Sequence, residues 1–210
     1  MNMLKKMMLA AAAVMMLAAC NGSKQTHLSA QFGDDAPDRV RVTVGDKIDT
    51  TVYTRNGKFS VDVPVDVTVL SRVRAGMSVY SFISDGSDIT LNPEDGKAYS
   101  AKKNGVHTRF VEFNRWKEDF LTDYRQKLDE IGDDQAAADA YFNEMKDKYE
   151  GHLKSTVKAN KDNFLGLLAL SQYQSDDPKE VLSLVKSLSS EMQKLPDVAQ
   201  MKKDYEDMLK

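Results

Sequence analysis

"RNGKFSVDVPVDVTVL", residues 55–70, decides the fold. Phe59, Val61 and Val63 alternate with Lys58, Ser60 and Asp62. Beyond Pro64, Val65, Val67 and Val69 alternate with Asp66 and Thr68. A period of two sets one side of a strand against a core and the other in water, the pattern of half-buried antiparallel strands. The punctuation agrees with this. Asn56-Gly57 suits a two-residue turn in which both residues take φ > 0. Pro64 has no N–H for a ladder, so it ends or offsets its strand.

The same period extends outward on both sides. Val40, Val42 and Val44 alternate with Arg39, Arg41 and Thr43, and turns fall at Ala75-Gly76 and Asp85-Gly86. About six strands are expected between Arg39 and Leu91, enough for a small sandwich or a curled sheet. Residues 92–104 read as a polar connector.

After the connector the period becomes 3.6. Phe110, Phe113, Trp116, Phe120, Tyr124, Leu128 and Ile131 fall on one helical face. Gly132 ends that helix, and Asp133 or Asp134 can cap the next, which carries Phe142, Met145, Tyr149, Leu153 and Val157. A third helix, Phe164 to Tyr173, is apolar nearly all round and is expected to be the most buried. Asp177-Pro178-Lys179-Glu180 is a start signal, with Asp as N-cap, Pro at N1 and Glu at N3. Pro196-Asp197 opens a fifth helix. The expected class is α+β: an antiparallel β-sandwich-like domain over residues 39–98, then about five α-helices over residues 105–210.

The N-terminal end has a different character. Lys5 and Lys6 precede an apolar run from Met7 to Leu17, then Ala18, Ala19 and Cys20. This is a secretory signal, and its apolar run is short for a bilayer span. "LAAC" (Leu17 to Cys20) resembles the lipobox of bacterial lipoproteins. The resemblance implies a lipoprotein signal peptide over residues 1–19, and a Cys20 that receives a diacylglyceryl group and becomes the first mature residue. Residues 20–38 are then expected to form a lipidated tether, with a short strand around Leu28 to Phe32. Acylation removes the thiol of the only cysteine, which would otherwise stand unpaired in an oxidising compartment. Without Lys5 and Lys6 the formal charge falls from −3 to −5. The chain carries no basic stripe of the kind nucleic-acid binding requires.

Motifs for chemistry are sparse. His27, His107 and His152 are far apart, with no metal-ligand spacing, and each reads as a structural histidine. No activated nucleophile, phosphate loop or dinucleotide fingerprint is present. Asp34-Asp35, Asp133-Asp134 and Asp176-Asp177 flank elements, where carboxylates cap donors and solvate turns. "SDGSD" (Ser84 to Asp88) lacks calcium-loop spacing and reads as a tight turn. The aromatic row from Phe110 to Tyr124 reads as a core stripe. No catalytic, cofactor-binding or metal-binding residue is assigned.

"RNGKFSVDV" (Arg55 to Val63), "FISDGSDITL" (Phe82 to Leu91) and "NKDNFLGLLAL" (Asn160 to Leu170), behind a lipobox, carry a family resemblance. The chain resembles the N-terminal domain of unknown function found ahead of the thioredoxin domain in TlpA/ResA-like thiol–disulfide oxidoreductase lipoproteins. The match covers most of Arg39 to Lys210, and the thioredoxin domain is not matched. With a single cysteine, no C-x-x-C is available and no redox residue carries over. The expected protein is a non-enzymatic, membrane-anchored lipoprotein that binds or scaffolds, held in the outer membrane facing the periplasm. The resemblance implies a thioredoxin-like envelope protein as partner. Two alternatives stand beside it: an accessory part of a thiol–disulfide system whose thioredoxin domain lies elsewhere, and a small-ligand carrier. An open apolar pocket at Trp116 would favour the carrier, and a continuous core there would exclude it.

Overall fold

The computed structural model describes residues 24–34 and 36–210. The chain divides into two units, one running through Asp66 and over Ser71–Lys102, the other comprising Val67–Leu70 and Lys103–Lys210.

Among the described residues the first unit holds eight strands in two four-stranded sheets. They are β1 (Gln25–Gln31), β2 (Arg39–Val44), β3 (Ile48–Tyr53), β4 (Lys58–Pro64), β5 (Asp66–Ala75), β6 (Ser78–Ser84), β7 (Asp88–Asn92) and β8 (Lys97–Ser100). One sheet runs β4-β1-β7-β8 and the other β3-β2-β5-β6. The alternating valines do what their period implies. Val40, Val42 and Val44 of β2 share one core with Phe59 and Val63 of β4, Tyr80 and Phe82 of β6, and Ile89 and Leu91 of β7. At about 25 cal/mol per Å² of apolar surface, these buried side chains are the main stabilising term of the sandwich.

Asn56 and Gly57 both take positive φ, 53° and 72°, with the Arg55–Lys58 bridge flanking them. This turn does not close a hairpin within a sheet, because β3 and β4 belong to different sheets. Gly57 is required twice over. Beyond its φ, a Cβ there would stand 2.8 Å from the carbonyl oxygen of Gly33.

Two departures from the sequence reading concern the edges of the domain. Residues 25–31, read as tether with a short strand around Leu28 to Phe32, form a longer strand, β1, which starts three residues earlier and lies inside its sheet between β4 and β7. Its inward positions are Thr26, Leu28 and Ala30. Thr26 and Ala30 contribute little hydrophobicity, so the period is faint. Thr26 is buried because its Oγ1 accepts the N–H of Gly86 at 2.8 Å and lies 2.9 Å from Ser84 Oγ. The β1–β7 pair is parallel, the one exception among the described strand pairs, which are otherwise antiparallel. Residues 97–100, read as connector, form β8, whose only inward residue of the buried core is Ala98.

The second unit holds α1 (Val106–Ile131), α2 (Gln135–Ala159), α3 (Phe164–Gln172), α4 (Pro178–Ser187), a 3₁₀ turn at Met192–Lys194 and α5 (Pro196–Asp207). The expected punctuation is present. The Gly132 N–H closes α1 on Leu128 O with φ 63°, and Asp134 accepts the Ala137 N–H to start α2. Asp177 accepts the Lys179 N–H at 2.9 Å, ahead of Pro178. Glu180 behaves differently from a capping-box residue. Its carboxylate receives Lys154 Nζ, Tyr173 Oη and Ser175 Oγ, tying α2 to the start of α4. These donors pull its pKa down to about 2. The core gathers Phe113 of α1, Leu153 and Val157 of α2, Leu165, Ala169 and Leu170 of α3, and Val181, Leu184 and Val185 of α4. No helix among the described residues is long and apolar enough to cross a membrane.

Candidate functional site

The aromatic row of α1 does not behave as one stripe. Phe110 and Phe113 are buried, whereas Trp116, Phe120 and Tyr124 are only half covered. The reason lies on α2, which runs alongside it. Tyr149 and His152 present rings to Trp116, with centroids 5.6 Å and 3.5 Å away and planes nearly parallel. Phe113 also stacks on His152, at 5.9 Å. One turn further along α2 the residues become small: Ser155, Thr156 and Ala159. Nothing bulky meets α1 there, and an open groove of about 380 Å³ remains. Its lining combines Arg109, Glu112, Phe113 and Trp116 of α1 with His152, Ser155, Thr156, Ala159 and Asn160 at the end of α2, and Leu165 of α3.

Spacing explains the lining. Arg109, Glu112, Phe113 and Trp116 sit at i, i+3, i+4 and i+7, and His152, Ser155, Thr156 and Ala159 repeat that pattern on α2. One end of the groove is the Trp116–His152 stack. The other is the guanidinium of Arg109, whose Nε donates to Asn160 Oδ1 at 3.1 Å and whose Nη1 donates to the carbonyl of Asn104 at 2.9 Å. Asn160 is 3% exposed and is itself fixed, its Nδ2 donating to Thr156 O at 3.0 Å. Asn163, 1% exposed, starts α3 by accepting the Leu165 N–H at 3.1 Å. The polar end of the groove is therefore held by the α2–α3 corner.

The histidines separate into three environments. His27 lies on β1 rather than in a tether, with Nδ1 2.7 Å from Asp62 Oδ1 on the neighbouring strand. His107 is fully buried beside Phe110. His152 lines the groove. Desolvation against the aromatic rings holds its pKa below the ordinary imidazole value, so the ring is neutral at pH 7. The sequence reading gave His152 no role, and the stack is the signal it missed. The SDGSD stretch is a turn, in which Asp85 Oδ1 accepts both the N–H and the hydroxyl of Ser87. No cluster of three or more metal-ligating side chains occurs among the described residues. Cys20, the expected lipidation site, lies outside them.

A direct check follows from the stack. Trp116 is the only tryptophan, so its emission reports this site alone. Lowering the pH is expected to quench that emission as His152 becomes an imidazolium against the indole. The midpoint should fall below the ordinary imidazole value, because the folded state favours the neutral ring. His152→Gln should remove the transition. A midpoint above the ordinary value would contradict the desolvated stack.

The arrangement defines an α+β protein with a sandwich-like β unit and a helical unit that carries an aromatic, one-cation groove. No protein-family model matches the chain, and no curated protein and no solved structure matches it either.

Proposed function

We propose that this protein is a non-enzymatic lipoprotein of the cell envelope. In this reading Cys20 is lipidated after removal of residues 1–19, and the anchor holds the protein in the outer membrane facing the periplasm. The protein works by binding, and the helical groove is its binding locus. The open groove at Trp116 is the observation that supports this reading. A buried stripe at that position would have left only packing. An apolar hollow with a few convergent polar groups is the usual form of a small-molecule site. The same observation favours a small-ligand carrier over a purely scaffolding role.

The test fills the groove without touching the core. Ala159 is exposed on the groove wall, and Ala159→Phe would occupy the space opposite Phe113. Small molecules extracted from the envelope fraction are expected to shift the indole N–H resonance of Trp116 in the native protein and to leave Ala159→Phe unmoved. Equal shifts in both proteins would place the binding site elsewhere.

A further inference from the structure

We infer that the groove accepts a monocarboxylate with an apolar body, the carboxylate on Arg109 and the body laid along Ala159, Phe113 and Trp116. This rests on the groove being the binding locus. Three features of the lining select the class.

Arg109 supplies the charge. Its guanidinium has five N–H donors, of which two are hydrogen-bonded, both to neutral acceptors. No carboxylate among the described residues pairs with it. The Nη2 donors and the second hydrogen of Nη1 remain for a planar anion. A carboxylate accepts such a fork with two parallel bonds, and the bond is charge-assisted. Asn160 and Asn104 hold the head in place before a ligand arrives, which lowers the ordering cost of binding.

Of the remaining polar side chains, Ser155, Asn160 and His152 offer little to a polar ligand, and the Thr156 hydroxyl adds a single neutral group to the lining. Ser155 Oγ already donates to the carbonyl of His152 at 2.8 Å. Asn160 Nδ2 donates to Thr156 O, and its Oδ1 accepts from Arg109 Nε. His152 is neutral within its stack. What lies between Arg109 and Trp116 is therefore chiefly apolar, about 12 Å long from His152 to Asn160 at 1.5 Å per residue. That length suits one ring with a short chain, or an extended chain of medium length.

Glu112 sets the limit on charge. It stands exposed on the same rim, one turn from Arg109. A second negative group on the ligand would meet its carboxylate, and like charges at such range repel. A single carboxylate is accepted, whereas a phosphate dianion is disfavoured.

The experiment uses the mature chain with decanoate, decanol and decyl phosphate, each below its micelle concentration, and reads Trp116 emission and the indole resonance. Decanoate is expected to give a saturable shift at least tenfold tighter than decanol, weakening as salt is added. Arg109→Gln should erase the preference for decanoate, and Arg109→Lys should retain part of it. Glu112→Gln should improve decyl phosphate. Salt dependence and the decanol comparison are measured on the native protein, so the result stands even where an Arg109 variant melts early. Decanol binding as tightly as decanoate would overturn the carboxylate while leaving the groove a binding site. No shift of Trp116 with any probe would overturn both.

Discussion

Gly166→Ala is expected to destabilise the helical unit by about 3 kcal/mol, an overpacking cost at the upper end of its ordinary range. A Cβ on Gly166 would lie 2.1 Å from the carbonyl oxygen of Asn160 and 2.9 Å from its carbon. The obstacle is backbone, so no side-chain rotation relieves it. Nor is that carbonyl free to swing away. The Asn160 N–H closes α2 on Thr156 O and Val157 O, and its carbonyl accepts from the Asn163 N–H at 3.3 Å. Alanine would have to push α3 off the end of α2, separating Leu165 from Leu153 and Val157. Gly151 is the internal control. It sits on the exposed side of α2 with nothing within 4 Å of an added Cβ. There the same change should stabilise the helix by roughly 0.8–1 kcal/mol, the propensity difference between glycine and alanine. Urea melts of the two variants should move in opposite directions. An unchanged midpoint for Gly166→Ala would contradict the close approach of α3 to the α2 terminus.

The elements that were legible in the sequence are those whose signal is local. Gly132, Asp134 and Asp177-Pro178 mark helix ends through hydrogen bonds spanning two to four residues, and all three act as read. The strands β2 and β4 were legible because valine and phenylalanine fill their inward positions. β1 was legible only in its second half, because the buried face of its start rests on a threonine satisfied by Gly86 and Ser84, residues about sixty positions away. Nor could the parallel β1–β7 pair be read, since no short turn announces it. Glu180 makes the same point. Its position marks a capping box, but three donors from α2 and the α3–α4 connection compete for the carboxylate and win.

The groove was half legible. Trp116 stood out, and its row was read as core because period alone says which face is apolar, not what covers it. The cover depends on α2, where the residue sizes fall from Tyr149 and His152 to Ser155 and Ala159. The same face of α2 also drifts. Tyr141, not Phe142, meets Tyr124 in a stack at 5.7 Å, and Phe142 is left 52% exposed. Four residues back from buried Met145 is Tyr141, and three back is Phe142. An i/i+3/i+4 pattern admits either, and the partner helix decides.

Cys20→Ala is expected to abolish incorporation of labelled palmitate and to move the protein from the membrane pellet to the soluble envelope fraction. The effect should be all or none. A lipidated cysteine carries two or three acyl chains, and each buried CH₂ contributes about 0.8 kcal/mol, so anchoring is firm with them and absent without them. Ala18 and Ala19 still offer small residues for ordinary signal cleavage, so export should survive the change. The folded part should melt as before, since Cys20 precedes β1, which begins at Gln25. The early start of β1 also shortens the link. Cys20 and Gln25 are five residues apart, at most about 18 Å of extended chain. A lipid on Cys20 would hold the β unit against the bilayer surface, not on the long tether that residues 20–38 were expected to form. Label retained in Cys20→Ala would place the acyl site elsewhere. Label lost with the protein still pelleting would mean that something other than lipid holds it. Inserting a flexible segment after Lys24 separates anchoring from proximity: it should keep the label and the pellet while exposing the β unit to added protease.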